Sequence, residues 1–251
     1  MKPTVLITTV CLIVFSGHAS GESISIPVTE AHKRLVVALW EGDIVVSPGD
    51  ESALQIDAEC IPQAPEAAEV ASGFRSLRIN AELPGIVSSD EVITIRSYED
   101  DAQCSVTLTV PRQLELHTRT NFAGSISVDG WRGPLLAWSA DGDVSVANYS
   151  GRLSATAMNG DANVSLAGAG IDADSAITAA NGTLTLTVNA DNVPALRAQA
   201  RWGDVQTNLD TSFEQVVENG GTWFATGRNA DAPVLTMRNL NRDIIIQSYS
   251  P

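Results

Sequence analysis

Two stretches decide the fold: Asp141-Gly142-Asp143-Val144-Ser145-Val146 and, eighteen residues on, Asn159-Gly160-Asp161-Ala162-Asn163-Val164. Working outward, the same phrase returns as Ala123-Gly124-Ser125-Ile126-Ser127-Val128 before them, and as Asn181-Gly182-Thr183-Leu184-Thr185-Leu186 and Trp202-Gly203-Asp204-Val205-Gln206-Thr207 after them. Successive glycines stand 18, 18, 22 and 21 residues apart, a spacing typical of a solenoid. Two and four residues after each glycine the side chains are apolar or small, with polar residues between. That period of two places alternate residues on opposite faces of a strand. Upstream, at minus seven, minus five and minus three, Leu135/Ala137/Ser139, Leu153/Ala155/Ala157 and Leu196/Ala198/Ala200 alternate in the same way, and small residues nearest the glycine predict a narrow corner. Each unit therefore reads as strand, glycine turn, strand and return loop, with Gly124, Gly142, Gly160, Gly182 and Gly203 supplying positive backbone angles at the turn.

The phrase also occurs outside this block. Trp40-Glu41-Gly42-Asp43-Ile44-Val45-Val46 is preceded by Leu35, Val37 and Leu39 at matching offsets, which adds Gly42 to the turn glycines. Near the end, Leu240-Asn241-Arg242-Asp243-Ile244-Ile245-Ile246 keeps the pattern with Arg242 in place of glycine. Asn219-Gly220-Gly221-Thr222-Trp223-Phe224 reads as a degenerate rung between the last two. Before Gly124 the phase slips by one, because Leu114, Leu116, Thr118 and Thr120 fall on even offsets, which predicts a bulge or a rung entrance. Stacked rungs of about 18–22 residues bury a continuous column that no single rung could bury. The expected fold is all-β: a parallel β-solenoid with an N-terminal, partly antiparallel β cap. An antiparallel β-sandwich with hairpins at similar intervals is the alternative.

The cap is expected between about residues 49 and 111, where loops at Pro48-Gly49-Asp50, Pro62–Glu66 and Glu99–Asp101 separate short strands around Leu54–Ile56, Leu77–Asn80, Val92–Ile95 and Val106–Val110. Residues 1–19 have the form of a cleaved secretory signal: Lys2, an apolar run from Val5 to Phe15, and small residues at Gly17-His18-Ala19. The organisation expected is thus a signal over 1–19, an N-terminal rung and cap over 20–111, and solenoid repeats over 112–251, continuous with the cap. No later apolar stretch is long enough to span a bilayer. Signal removal leaves Cys60 and Cys104, and in an oxidising compartment two cysteines are expected to form a disulfide.

The chain of 251 residues is 44% hydrophobic and 18% charged, a composition that folds, and its formal charge is −15. So acidic a chain argues against nucleic acid, whose affinity comes from lysine and arginine on phosphates, and against anionic lipid.

The order Leu-x-Val-x-Leu-x-x-Gly-Asp-Ile-Val-Val, then Val106-Thr107-Leu108-Thr109-Val110-Pro111, then the run of Gly-Asp-Val-x-Val units resembles the adhesin family of bacterial β-strand-repeat domains, from roughly Ile24 to Gln247. The resemblance implies a fold and an exported or envelope location, and it brings no catalytic residues. Arg242 and the slip before Gly124 depart from the family pattern.

Candidate chemistry is sparse. Asp43, Asp143, Asp161, Asp204 and Asp243 follow their turns on the outward side and could offer hard oxygen ligands to calcium. Thr183 interrupts that stack and the Gly-Gly-x-Gly-x-Asp phrase is missing, so turn residues that accept backbone donors are the favoured reading, with no metal or cofactor expected. His32 and His117 stand alone, and no nucleophile elbow, phosphate loop or metalloprotease helix motif occurs. Trp131 and Tyr149 share one place on successive rungs. They could stack on a sugar or a partner's apolar surface, or pack the return loop against the column. The function expected is an exported, non-enzymatic binding module, adhesin-like or an envelope scaffold, periplasmic or at the surface, whose partner is a protein or glycan of the envelope. The alternatives are a polysaccharide-active enzyme on a β-helix and a periplasmic sensor or accessory domain.

Overall fold

The computed structural model describes residues 22–49, 52–61, 84–98, 103–168, 170–218, 221–226 and 232–249. The signal segment, the strand expected around Leu77–Asn80 and the loops at Pro62–Glu66 and Glu99–Asp101 lie outside the described residues. The N-terminal strands are β1 (Glu22–Pro27), β2 (Arg34–Glu41), β3 (Ile44–Gly49), β4 (Ala53–Ile61), β5 (Gly85–Ser88), β6 (Val92–Arg96) and β7 (Gln103–Pro111). The central ones are β8 (Glu115–Ala123), β9 (Ile126–Asp129), β10 (Leu135–Ser139), β11 (Val144–Tyr149), β12 (Leu153–Ala157), β13 (Ala162–Leu166), β14 (Ser175–Ala179) and β15 (Leu184–Asn189). At the C-terminal end come β16 (Ala195–Ala200), β17 (Val205–Thr207), β18 (Phe213–Glu218), β19 (Gly221–Thr226), β20 (Val234–Asn239) and β21 (Ile244–Tyr249). There is no helix among the described residues.

These strands form two sheets. The first has 10 strands in the order β1-β4-β7-β3-β9-β11-β13-β15-β21-β17, and the second has 11 in the order β18-β19-β16-β20-β14-β12-β10-β8-β2-β6-β5. A rung is one strand of the second sheet, a corner, and one strand of the first. Neighbouring rungs pair in parallel, so the fold is the expected β-solenoid with antiparallel strands at its ends.

Register explains the core. In the second sheet Ala137 faces Thr118 and Ala155, Ala155 faces Ile177, and Ile177 faces Met237, so one inward offset becomes one column. In the first sheet Ile44, Ile126, Val144, Ala162, Leu184 and Ile244 stack in the same manner. These side chains are buried, and each large one contributes roughly 1.5–3 kcal/mol relative to exposure. The phase slip before Gly124 is a bulge: the register between β2 and β8 shifts between Leu39/Thr120 and Glu41/Ala123. It turns Thr118 and Thr120 inward, where Thr120 Oγ1 donates to the Gly124 carbonyl at 3.0 Å and Thr118 Oγ1 to that of Leu136 at 3.3 Å.

Rung order departs from chain order at both ends. The N-terminal rung β2–β3 lies inside the stack, between β8–β9 and a rung made of β6 and β7. Val92–Pro111 is thus a true rung, parallel to its neighbour, and only β1, β4 and β5 pair antiparallel beyond it. At the other end the Arg242 unit, β20–β21, is inserted between β14–β15 and β16–β17. Gly221–Phe224 is not a degenerate rung. It belongs to β19, which forms an antiparallel hairpin with β18 and pairs with β16. The physical reason is the sheet edge: a rung left last in the stack exposes unpaired backbone groups, and hairpins cover them on the second sheet.

The disulfide expected from sequence is present. Cys60 and Cys104 face each other across the antiparallel pair β4/β7 with their Cα atoms 4.1 Å apart.

Candidate functional site

The corner residues form two ladders that run along the stack. A Cβ added to Gly142 would lie 2.2 Å from the Gly124 carbonyl oxygen, one on Gly160 2.3 Å from that of Gly142, and one on Gly182 2.1 Å from that of Gly160. Gly124 is equally close to Gly42, Gly42 to Cys104, and Gly203 to Arg242. Gly42, Gly124 and Gly142 have the positive φ that the turn reading required, whereas Gly160, Gly182 and Gly203 do not. The common requirement is the close approach of consecutive corners, which leaves no room for a side chain. At the Arg242 rung the corner is held by Asn239 instead, whose Nδ2 donates to the carbonyls of Gly182 and Asp243, both at 2.9 Å.

The residue after each corner forms the second ladder. Asp43 Oδ1 accepts the Ser125 N–H at 2.8 Å, Asp143 Oδ1 that of Asp161 at 2.8 Å, Asp161 Oδ1 that of Thr183 at 2.8 Å, and Asp243 Oδ1 that of Asp204 at 2.9 Å. The carboxylates of Asp43, Asp143, Asp161 and Asp243 are thus committed to a backbone donor of the next rung, the turn role expected from sequence, while Asp204 takes part through its own N–H. Among the described residues no group of three or more His, Cys, Asp or Glu is placed to hold a metal ion. Outside this row, Asn181 Nδ2 donates to Asn159 Oδ1 at 2.6 Å and Asn241 Nδ2 to Asn181 Oδ1 at 2.5 Å.

Trp131 and Tyr149 do not form an interaction surface. Both are fully buried, packed into the core cluster on the return-loop side. Tyr149 Oη donates to the Gly133 carbonyl at 2.7 Å. Burial, and secondarily the charge of Asp172, raises its phenol above the usual tyrosine range. For Tyr149 the physical reason for the correction is geometric: Asn148 adopts φ 52° where the register between β11 and β13 shifts, and the ring is turned into the core. The two histidines are separate. His32 Nδ1 accepts the Thr29 N–H at 3.0 Å, while His117 Nε2 lies 2.8 Å from Glu115 Oε1. His117 and Arg34 together hold the Glu115 carboxyl below the usual carboxylate range.

What the molecule offers to a partner is its two outer faces, and they differ in chemistry. The strands of the first sheet carry no lysine or arginine, and their outward positions are mainly Ser, Thr, Asn and Gln. Those of the second carry Arg34, Arg96, Arg119, Arg197 and Arg238. Arg119 lies over the Trp138 ring, 4.3 Å from its centroid, and Trp223 is flanked by Arg197 at 4.7 Å and Arg238 at 5.1 Å. Between these groups is a trough of about 410 Å³ lined by Arg152, Ser154, Asp174, Thr178, Thr236 and Arg238, among others. Reading the inward offsets passes over this face. The outward offset at minus four, which holds Trp138, Thr156, Thr178 and Arg238, carries the signal, but chain order does not place Arg238 beside Thr178.

No curated protein matches the chain. Among solved structures, it is similar to an adhesion-type protein of Clostridium sporogenes (TM-score 0.44, 10% identity, 92% of this chain and 100% of that one). It is also similar to an adhesin-type protein of Bacteroides fragilis (TM-score 0.37, 13% identity, 92% and 99%). The model of the Toastrack DUF4097 family matches residues 6–239, and the chain belongs to that family.

Proposed function

We propose that the protein is an exported, non-enzymatic binding module of the cell envelope, displayed at the surface in the manner of an adhesin. The observation that carries this reading is the division of labour among its polar groups. Four carboxylates of the repeated row, Asp43, Asp143, Asp161 and Asp243, are committed to backbone donors between rungs, and the apolar residues fill a continuous column. What remains is a rigid pair of broad outer faces on a parallel stack. The signal-like segment at residues 1–19 and the disulfide support export.

Protease treatment of intact cells, compared with cells whose outer barrier has been permeabilised and with a known periplasmic protein as control, tests the location. Cleavage on intact cells is expected. Protection until permeabilisation would overturn surface display and leave a periplasmic scaffold.

A further inference from the structure

The parallel register turns one outward offset of the second sheet into a straight row. Along the stack, Ala38 of β2 lies between Arg96 and Arg119, Trp138 pairs with Arg119 and Thr156, and Thr178 pairs with Thr156 and Arg238. Adjacent strands stand about 4.8 Å apart, so Arg119 and Arg238, four strands apart, bracket roughly 19 Å. Between them the floor is small and hydroxylated: Ser154, Thr156, Ala176, Thr178 and Thr236. Arg119, Arg152 and Arg238 are exposed, and none of them forms an ion pair with a carboxylate among the described residues. Two of the three are held over a tryptophan ring, which orients the guanidinium without neutralising it. The carboxylate in the trough, Asp174, accepts the Val234 N–H at 2.9 Å.

We infer that this face binds a linear, carboxylate-bearing polysaccharide that runs along the row with acid groups on Arg119 and Arg238, while Arg152, which lines the trough four residues before Thr156 and thus roughly 13 Å to the side of the row, meets a further acid group. Three features of the face select that class. Unpaired arginines collected on one face of a protein of net charge −15 call for an anionic occupant, and the planar fork of arginine matches a carboxylate. A floor of hydroxyls suits sugar rings, whose edges carry hydroxyl groups. The strands that form it are interior to the sheet, with both edges paired, so an acidic peptide has no backbone ladder to join. The trough volume falls in the range of ligand sites. The inference rests on the binding-module reading above and supplies its ligand class.

The test is calorimetric titration of the full mature chain with a galacturonic acid hexamer, with maltohexaose as the neutral control and a glutamate hexapeptide as the acidic non-sugar control. Binding to the galacturonate at low salt, at least tenfold tighter than to either control and weakening as salt is raised, is expected. R119Q together with R152Q should lower that affinity at least tenfold with an unchanged thermal midpoint, since both side chains are exposed. R238K should weaken binding as well, because lysine keeps the charge and loses the planar fork. Equal binding of the acidic peptide, no binding of the galacturonate, or undiminished binding by the double variant would overturn the inference. Surface cleavage on intact cells reads independently, so loss of this ligand class leaves the module reading standing.

Discussion

At single residues, the solenoid is governed by how closely its corners stack. Gly160 shows this most clearly, because its φ is ordinary and yet a Cβ there would meet the Gly142 carbonyl oxygen at 2.3 Å. Backbone, unlike the end of a flexible side chain, cannot step aside without shifting a rung. Gly160→Ala is therefore expected to cost roughly 1–3 kcal/mol. Gly168→Ala, with nothing within 4 Å of the added Cβ, should stay within about 0.5 kcal/mol. Urea titration of both variants checks this; equal midpoints would show that corner spacing does not require glycine. The residues after the corners act locally as well: the carboxylates of Asp43, Asp143, Asp161 and Asp243 accept an N–H from the next rung, and the hydroxyls of Ser125 and Ser105 accept those of Asp143 and Asp43, which is why an acid or a serine can occupy that place. The places of the glycines and aspartates were legible from offsets alone; the close approach of the corners was not, since a turn by itself asks only for positive φ, which Gly160, Gly182 and Gly203 lack. Of the two readings left open for Trp131 and Tyr149, packing against the column is the one the structure shows, and the offsets could not choose it, because at Tyr149 the choice follows a register shift and a positive φ at Asn148, neither of which has a sequence period.

At the level of the strand, β7 carries two roles. It pairs in parallel with β3 as part of a rung and antiparallel with β4 as part of the cap, and the disulfide joins it to the latter. The bond closes a loop with a sequence separation of 44, for which the chain-entropy model gives up to ~4 kcal/mol of stabilisation. Reduction of the protein is expected to lower its thermal midpoint, followed by circular dichroism with and without reductant; an unmoved midpoint would show that β4 is held without the bridge. The alternating pattern of Val106–Val110 announced a strand, yet could not say that its two edges would meet partners of opposite direction. Backbone donors and acceptors on both edges are present in any strand, and only the neighbours in space decide which sense of pairing uses them.

Across the whole molecule, the stack is ordered so that the chain's outer repeat units are not its outer rungs. β20 and β21 separate β14–β15 from β16–β17, and their removal should break the column instead of shortening it. A chain ended after residue 231 is expected to lose hydrogen-exchange protection at β16, β17 and the β18/β19 hairpin while β8 to β13 stay protected. In a stack that followed chain order, the same truncation would leave β16 paired and protected, and that outcome would refute the insertion. The same order builds the second sheet's outer face, since Arg238 joins the row of Thr156 and Thr178 only because its rung lies next to β14. The sequence by itself determined the repeat, its length, the inward columns and the places of the glycine corners, because all of these follow from side-chain size and polarity at fixed offsets along one chain, and it paired Cys60 with Cys104. The order of the rungs, the hairpins that end the second sheet and the row of arginines that results were decided only by the tertiary structure. Every rung presents nearly the same apolar column to its neighbours, so local pattern accepts many stacking orders, and the choice among them depends on contacts between segments far apart in the chain.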